Sequence, residues 1–161
     1  KMADGGCIAI QYGIESGSQK VLDKIDKGMD LGRAREIIDY TYKKQIIPCL
    51  SFMIGHFCDT LDTMEETHQF IKEMFEKYKA EMALSFNTPF PGTWQHTHRD
   101  KIGIRLVTDK YKKFSLLDPI VETENFTVND QRNIFFETRR YLANLTGYYQ
   151  LREEIFDENE K

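Results

Sequence analysis

Three short stretches of the chain hold residue types from which a ligand site is built. The first is Gly13-Ile14-Glu15-Ser16-Gly17-Ser18, a carboxylate and a hydroxyl between two glycines. Glycine lets backbone approach a ligand closely, and a carboxylate accepts two hydrogen bonds from vicinal hydroxyls. Glu15 therefore suits a ribose or a ligand ammonium, and equally suits capping of a following helix. The second stretch, Gly55-His56-Phe57-Cys58-Asp59-Thr60, offers a glycine against which a planar ring can lie. Its Asp59 serves either a ligand or the start of the next helix. In the third, Asn87-Thr88-Pro89-Phe90-Pro91-Gly92-Thr93, two prolines fix the backbone. That leaves main-chain groups free to read a base edge, or makes a rigid turn and nothing more.

Other chemistry is sparser. His96-x-His98 could chelate a metal, but only His56 and His68 remain to complete a site, so a surface loop is expected. Cys7, Cys49 and Cys58 are odd in number and widely spaced, which argues against a disulfide framework and for a reducing, cytoplasmic setting. Cys58 reads as a small loop residue more than as a reactive thiol. The sequons at Asn125 and Asn144 would matter only in a secreted protein.

These stretches must be held by regular elements, and the hydropathy pattern supplies them. Cys7 to Ile14 reads as a buried strand, and Val21, Leu22 and Ile25 mark a short helix ending near Gly28. Asp30 caps a longer helix whose stripe is Ala34, Ile37, Ile38 and Thr41, with Tyr42 at its edge. Ile47 to Gly55, apolar without alternation, reads as a parallel strand covered on both faces. A helix with a capping-box-like start at Asp62 and Glu65 carries Met64, Thr67, Ile71, Met74, Phe75 and Tyr78 on one face. Glu81 to Thr88 makes a third strand. Strand onsets at residues 7, 47 and 81 lie 40 and 34 residues apart. A (β/α)₈ barrel spends about 30 residues per unit, so these look like consecutive parallel barrel-type units.

After Thr93 the pattern becomes polar and turn-rich, then forms a long amphipathic helix from about Asn129 to Arg152. Ile134, Phe135, Thr138, Tyr141, Leu142, Leu145 and Tyr148 line one face of it. Tyr141, Tyr148 and Tyr149 are most simply packing residues. The expected class is α/β, three parallel βα units over residues 1–105 and a helical extension over 106–161.

Composition limits the function. Of 161 residues 40% are apolar and 30% charged, enough for a core and against wholesale disorder. Net charge is -4, and the densest basic cluster is Lys110-Tyr111-Lys112-Lys113, so charge alone does not suggest a nucleic-acid surface. The longest apolar stretch, 46–55, is half of the roughly 20 residues a membrane span needs. Neither a membrane nor a nucleic-acid partner is expected.

Gly-Ile-Glu-Ser-Gly-Ser-Gln-x-Val-Leu-x-x-Ile-x-Lys-Gly at 13–28, Phe-Met-Ile-Gly at 52–55 with Asp59-Thr60, and Thr-Pro-x-Pro-Gly-Thr at 88–93 together resemble the radical S-adenosylmethionine superfamily. The similar branch is the one shared by methylthiotransferases and cobalamin-binding enzymes. The resemblance covers residues 5–105. It implies a partial six-stranded (β/α) barrel, a TIM-like barrel of which these are the fourth to sixth strands, that is, half. It places Glu15 and Ser16 against the ribose and methionine parts of S-adenosyl-L-methionine. Met53, Ile54 and Gly55 would lie beside adenine, and Thr88 in the loop that reads it. The loop after Gly55 departs from the branch's Gly-x-Pro-Gly-Glu-Thr, lacking its proline and second glycine. The Cys-x-x-x-Cys-x-x-Cys loop for a 4Fe-4S cluster is absent from these residues.

The resemblance thus implies a piece, inactive alone, of an iron-sulfur enzyme whose cluster ligands lie in a missing N-terminal part, with cobalamin as a further cofactor of the parent protein. The implied reaction is an oxidation or methyl transfer on a small-molecule substrate, with the anaerobic oxidative cyclase of magnesium-protoporphyrin ester among the similar enzymes. A tRNA methylthiotransferase is the lesser reading, because residues after Gly103 are helical and not especially basic. A cluster-free nucleotide-binding barrel enzyme and a non-catalytic interaction module stay open as other classes.

Overall fold

The computed structural model describes residues 1–146, with side chains through residue 143. Three parallel strands form its centre: β1 (Ala9–Glu15), β2 (Ile47–Ile54) and β3 (Glu81–Phe86), in spatial order β1-β2-β3. Between β1 and β2 run α1 (Gln19–Lys24) and α2 (Leu31–Lys43), and between β2 and β3 runs α3 (Leu61–Tyr78). Chain order and spatial order coincide, so the three carboxyl ends line one edge. The architecture is mixed α/β around a three-stranded parallel sheet. Among the described residues no helix is long and apolar enough to cross a membrane.

The helix starts follow from local chemistry. Asp30 accepts a hydrogen bond from the Arg33 N–H at 2.7 Å, the cap expected of it. The capping box of α3 lies two residues earlier than Asp62 and Glu65 suggest: the Thr60 hydroxyl accepts from the Thr63 N–H, and the Thr63 hydroxyl accepts from the Thr60 N–H. Two hydroxyls do here what a threonine and a glutamate usually do, and Asp62 sits in the first turn, where its charge complements the helix dipole.

The sheet corrects one expectation. Among the described residues β2 is covered on one face: Pro48, Leu50, Phe52 and Ile54 are buried, while Cys49, Ser51 and Met53 between them are half-buried. The buried side packs with Ile14, Leu22, Ile38, Phe70, Ile71 and Met74 into the main core under the helices. Met64, Thr67, Ile71, Met74, Phe75 and Tyr78 of α3 are all buried. In α2 Ile37 and Tyr42 stay exposed and Leu31 is buried instead, a rotation of the apolar stripe by part of a turn. The opposite face of the sheet, with Gln11, Gly13, Ser51, Met53, Ala83 and Ser85, is left uncovered by the described residues.

After β3 the polar stretch contains elements that its composition conceals. A single helical turn, α4 (Trp94–Thr97), is followed by β4 (Arg105–Leu106), a 3₁₀ turn at Tyr111–Lys113, and β5 (Val121–Glu122), antiparallel to β4. Two-residue strands carry too little periodicity to be read from sequence. α5 (Val128–Thr146) then lies against α3. Its Phe135 stacks on Phe86 with ring centroids 4.3 Å apart. Ile54, Met64, Phe86, Ile104, Ile120 and Phe126 complete this second core. The expected face of the last helix is borne by Phe135 and Thr138, with Tyr141 and Leu142 at its edge. The side chain of Leu145, and Tyr148 and Tyr149, lie outside the described residues.

Leu50, fully buried at the centre of β2, sets the cost of opening this core. Leu50→Ala is expected to lower unfolding free energy by about 2–5 kcal/mol in urea denaturation, with an unchanged m-value.

Candidate functional site

β1 ends in a break of register, where Gly13 pairs with Ser51 and Glu15 with Phe52. The Ser16 N–H donates to the Ile14 carbonyl at 2.9 Å, closing a three-residue turn centred on Glu15, whose φ is 70°. That turn is rare for a residue with a side chain and costs about 1–3 kcal/mol. The conformation brings the Glu15 carboxylate back beside Gly13, and Lys27 Nζ donates to Glu15 Oε1 at 2.9 Å. Both side chains are about a quarter to a third exposed, 25% and 31%. Glu15 does not cap α1, whose N-cap Ser18 makes no side-chain cap bond. The other carboxylate oxygen has no partner in the described residues.

Ser16, by contrast, is buried and committed to structure. Its hydroxyl pairs with Thr67 Oγ1 at 3.0 Å and accepts from the Ser18 N–H at 3.1 Å. Thr67 Oγ1 also accepts from the Gly17 N–H at 3.0 Å. A Cβ built on Gly17 would meet Phe70 Cβ at 2.6 Å and Thr67 Cα at 2.7 Å. This glycine is thus required by the close approach of the loop to α3, which corrects the expectation that it admits a ligand. Gln19 is structural too, its side chain bridging the Met29 carbonyl and the Leu31 N–H to start α2.

The loop after β2 is organised by Asp59, which is 2% exposed. Its Oδ2 accepts from the Gly55 N–H at 3.1 Å and the His56 N–H at 2.9 Å, and its Oδ1 from the Thr63 hydroxyl at 2.8 Å. Asp59 is a turn-holding carboxylate just ahead of α3. Burial pushes its pKa up, against the nearby His56 and these three donors, which pull it down. His56 is 4% exposed, and neither ring nitrogen has a hydrogen-bond partner. The Glu15 carbonyl acts on the ring electrostatically but lacks hydrogen-bonding geometry. Burial pushes the His56 pKa below the ordinary imidazole value, outweighing the carboxylates of Asp59 and Glu15.

Gly55 has φ 87°, and a Cβ there would lie 2.1 Å from Gln131 Oε1 of α5. The space beside it is filled by the Gln131 carboxamide, whose Nε2 donates to the Val121 carbonyl at 2.5 Å. The glycine therefore answers to the packing of α5, and this side of it receives no ring. Ile54 is buried in the second core, and Met53 is half-buried on the uncovered face.

The third loop joins the second directly. The Asn87 N–H donates to the Ile54 carbonyl at 2.8 Å, and Asn87 Nδ2 to the Gly55 carbonyl and to Gln95 Oε1, each at 3.0 Å. The Thr88 hydroxyl donates to the Ser115 carbonyl at 2.9 Å, which anchors the 111–116 turn over the end of β3. The three loops thus meet at one edge of the sheet. Of the six residues singled out, Glu15 and Met53 keep side chains open to a ligand. The side chains of Ser16, Ile54 and Thr88 are used internally, and Gly55 offers backbone alone.

Sequence reasoning gave no role to Lys27 or Gln131 and named His56 only as a possible metal partner of His96 and His98. Only the lysine leaves a local signal, at the end of the first motif; the others depend on contacts between elements distant in the chain. His98 stacks on Trp94 with centroids 4.7 Å apart, and its Nδ1 lies 3.0 Å from the Trp94 carbonyl. Cys7, Cys49 and Cys58 are separate free thiols. Burial and the neighbouring Asp59 push the Cys58 thiol up to about 11.

No protein-family model matches the chain. Over 128 residues, 78% of the chain, it is 30% identical to a Pyrococcus horikoshii protein described as an uncharacterized methyltransferase. The chain spans about a quarter of that relative's length, 27%.

Two measurements probe this edge. Because folding lowers the His56 pKa, the unfolded chain takes up the proton first as pH falls below 6.5, and stability declines there. His68, also lowered by burial, adds a decline of the same sign. His56→Gln should flatten the fall of unfolding free energy between about pH 7 and 5.5, leaving the part due to His68. For Cys58, a thiol shifted from 9.0 to about 11 should alkylate with iodoacetamide about a hundredfold more slowly in the native chain than in urea. Peptide mapping reads the ratio at pH 8.

Proposed function

We propose that this chain is the carboxyl-terminal half of the barrel of a radical S-adenosylmethionine methyltransferase, and that its strand-end loops contribute contacts to S-adenosyl-L-methionine. One observation carries the reading: Glu15, a non-glycine residue held at φ 70° at a strand end, presents a partly exposed carboxylate with one oxygen unpartnered among the described residues. Backbone strain of this kind persists where the surroundings over-determine it, and it concentrates at ligand sites. Support comes also from the meeting of the three motif loops at the carboxyl edge of parallel strands, where ligands bind in such sheets. The similarity to a protein named as a methyltransferase favours methyl transfer over oxidation.

The uncovered sheet face supports a longer parent protein. All-parallel sheets are covered on both faces, whereas among the described residues this one leaves the face with Gln11, Ser51, Met53 and Ser85 uncovered and neither β1 nor β3 paired on its outer edge. In this reading further βα units of the same polypeptide close the sheet into a barrel, and that face becomes its interior.

The residues present fit S-adenosyl-L-methionine in part. Glu15 accepts hydrogen bonds from ribose hydroxyls or the methionine ammonium, and Lys27 fixes the carboxylate by holding Oε1. Met53 offers a polarizable wall on the same face. Asn87, by bridging the Gly55 carbonyl to Gln95, keeps the second and third loops in register. When bound, the cofactor supplies carbon activated by its sulfonium; the chain's part is to bind and orient it. A 4Fe-4S cluster does not fit this chain. Its cysteines are apart, and among the described residues no three His, Cys, Asp or Glu side chains group as a metal ligand set. Its ligands, and a cobalamin site, belong in this reading to sequence outside the chain, and the substrate is a small molecule.

The test is made on the polypeptide encoded by the whole reading frame, reconstituted anaerobically. Glu15→Gln should weaken S-adenosyl-L-methionine binding about tenfold or more by calorimetry, with iron content unchanged, since a hydrogen bond to a charged group is worth about 1.5–3 kcal/mol. Unchanged affinity would reduce Glu15 to the partner of Lys27.

A further inference from the structure

Beside the turn at Glu15 lies a ring that the chain buries without satisfying it. His56 is 4% exposed, and neither Nδ1 nor Nε2 has a hydrogen-bond partner. Its main chain, by contrast, is fixed: the N–H donates to Asp59 Oδ2 and the carbonyl accepts from the Asp59 N–H, each at 2.9 Å. The ring is therefore held at this depth by the turn that carries it and not by bonds of its own. With no acceptor for a second proton it rests neutral, and burial holds its pKa below the ordinary imidazole value.

The charges around the ring do not balance. Glu15 faces it from the end of β1, Lys27 from the segment after α1, and Asp59 from its own loop. Helix α5 reaches this loop at Gly55 with Gln131, which carries no charge. Two carboxylates thus stand against one ammonium, leaving one negative charge in excess while the ring is neutral and none once it takes a proton. Asp59 spends both oxygens on three donors, and Lys27 holds Glu15 Oε1 at 2.9 Å. The excess is offered at the second oxygen of Glu15, which is partly open and has no partner among the described residues. A neutral donor such as a ribose hydroxyl leaves that charge in place. A cation cancels it, and so does a proton on His56, so each lowers the affinity of the site for the other.

We propose that the open oxygen of Glu15 takes a cationic group, an ammonium or a sulfonium, and that His56 is a positioning residue whose protonation excludes it. This rests on the reading of Glu15 as a ligand contact and narrows the chemistry of the group that Glu15 meets.

NMR titration of the His56 ring in the full 161-residue chain, its signal assigned by loss in His56→Gln, tests the link without any cofactor. Glu15→Gln should lower the proton affinity of the ring about threefold or more, and Lys27→Met should raise it by as much, since each removes one charge that faces it. Glu36→Gln, an exposed carboxylate on α2 paired with Arg33, should leave it unchanged. The second arm uses the polypeptide encoded by the whole reading frame, reconstituted anaerobically. S-adenosyl-L-methionine should bind about threefold or more weakly at about pH 5.5 than at about pH 7.5, and equally at both in His56→Gln. 5′-Methylthioadenosine, which keeps the ribose and lacks both cations, should bind equally at both. A ring titration unaltered by Glu15→Gln and Lys27→Met would overturn the inference whether or not the cofactor binds, and so would an affinity for S-adenosyl-L-methionine that ignores pH. Absence of cofactor binding at either pH would instead overturn the reading of the strand-end loops, with the two titration shifts still deciding the link between His56 and Glu15.

Discussion

A buried carboxylate holds this edge of the molecule together. Asp59 collects two main-chain N–H groups from the turn after β2 and one hydroxyl from the first turn of α3. The Thr63 hydroxyl it binds also caps the helix, and one turn on, the Thr67 hydroxyl binds the Ser16 hydroxyl and the Gly17 N–H of the loop after β1. The first two turns of α3 therefore act as a ruler that sets the second loop against the first. The bonds of Asp59 and the pairing of Ser16 with Thr67 are buried, so each of these lost would leave a donor or acceptor without water, at about 1–3 kcal/mol. That penalty is what makes the placement of Glu15 and His56 definite.

The glycines of the motifs belong mostly to this scaffold. Gly17 is a glycine because α3 comes within 3 Å of where its side chain would be, and Gly55 because Gln131 does the same from α5. Strain is accepted instead at Glu15, where a glycine would relieve it. Close packing is met here by removing side chains, while Glu15 keeps a side chain in a disfavoured conformation, as Asp26, Gln45 and Lys79 do in turns elsewhere among the described residues.

The carboxyl-terminal segment is more than a tail. Phe86 of β3 is stacked by Phe135 of α5, and the Phe86 N–H donates to the Leu116 carbonyl at 2.8 Å. Through Asn87 and Thr88 the same strand end anchors α4 and the 111–116 turn. The turn-rich stretch thus takes its position from the sheet, and within it Arg99, Arg105 and Lys113 lie beside the carboxylates of Asp100, Glu122 and Asp118.

Much of the scaffold was legible in the chain. Strands over 9–15, 47–54 and 81–86, the Asp30 cap and the apolar face of α3 follow from period and capping, which depend on neighbours three or four residues away. Composition also located the three polar loops. Which of their side chains stay open was not legible, because this turns on partners such as Thr67 for Ser16, Ser115 for Thr88 and Gln131 for Gly55. The face of β2 left uncovered by the described residues was hidden for a related reason, since Cys49 and Met53 are apolar by type though only half-buried. Local sequence thus determined the elements and their order, through backbone propensity and hydrophobic period. Tertiary structure alone decided which polar groups are satisfied and which remain for a ligand, because buried hydrogen bonds and steric exclusion act between residues that the chain keeps far apart.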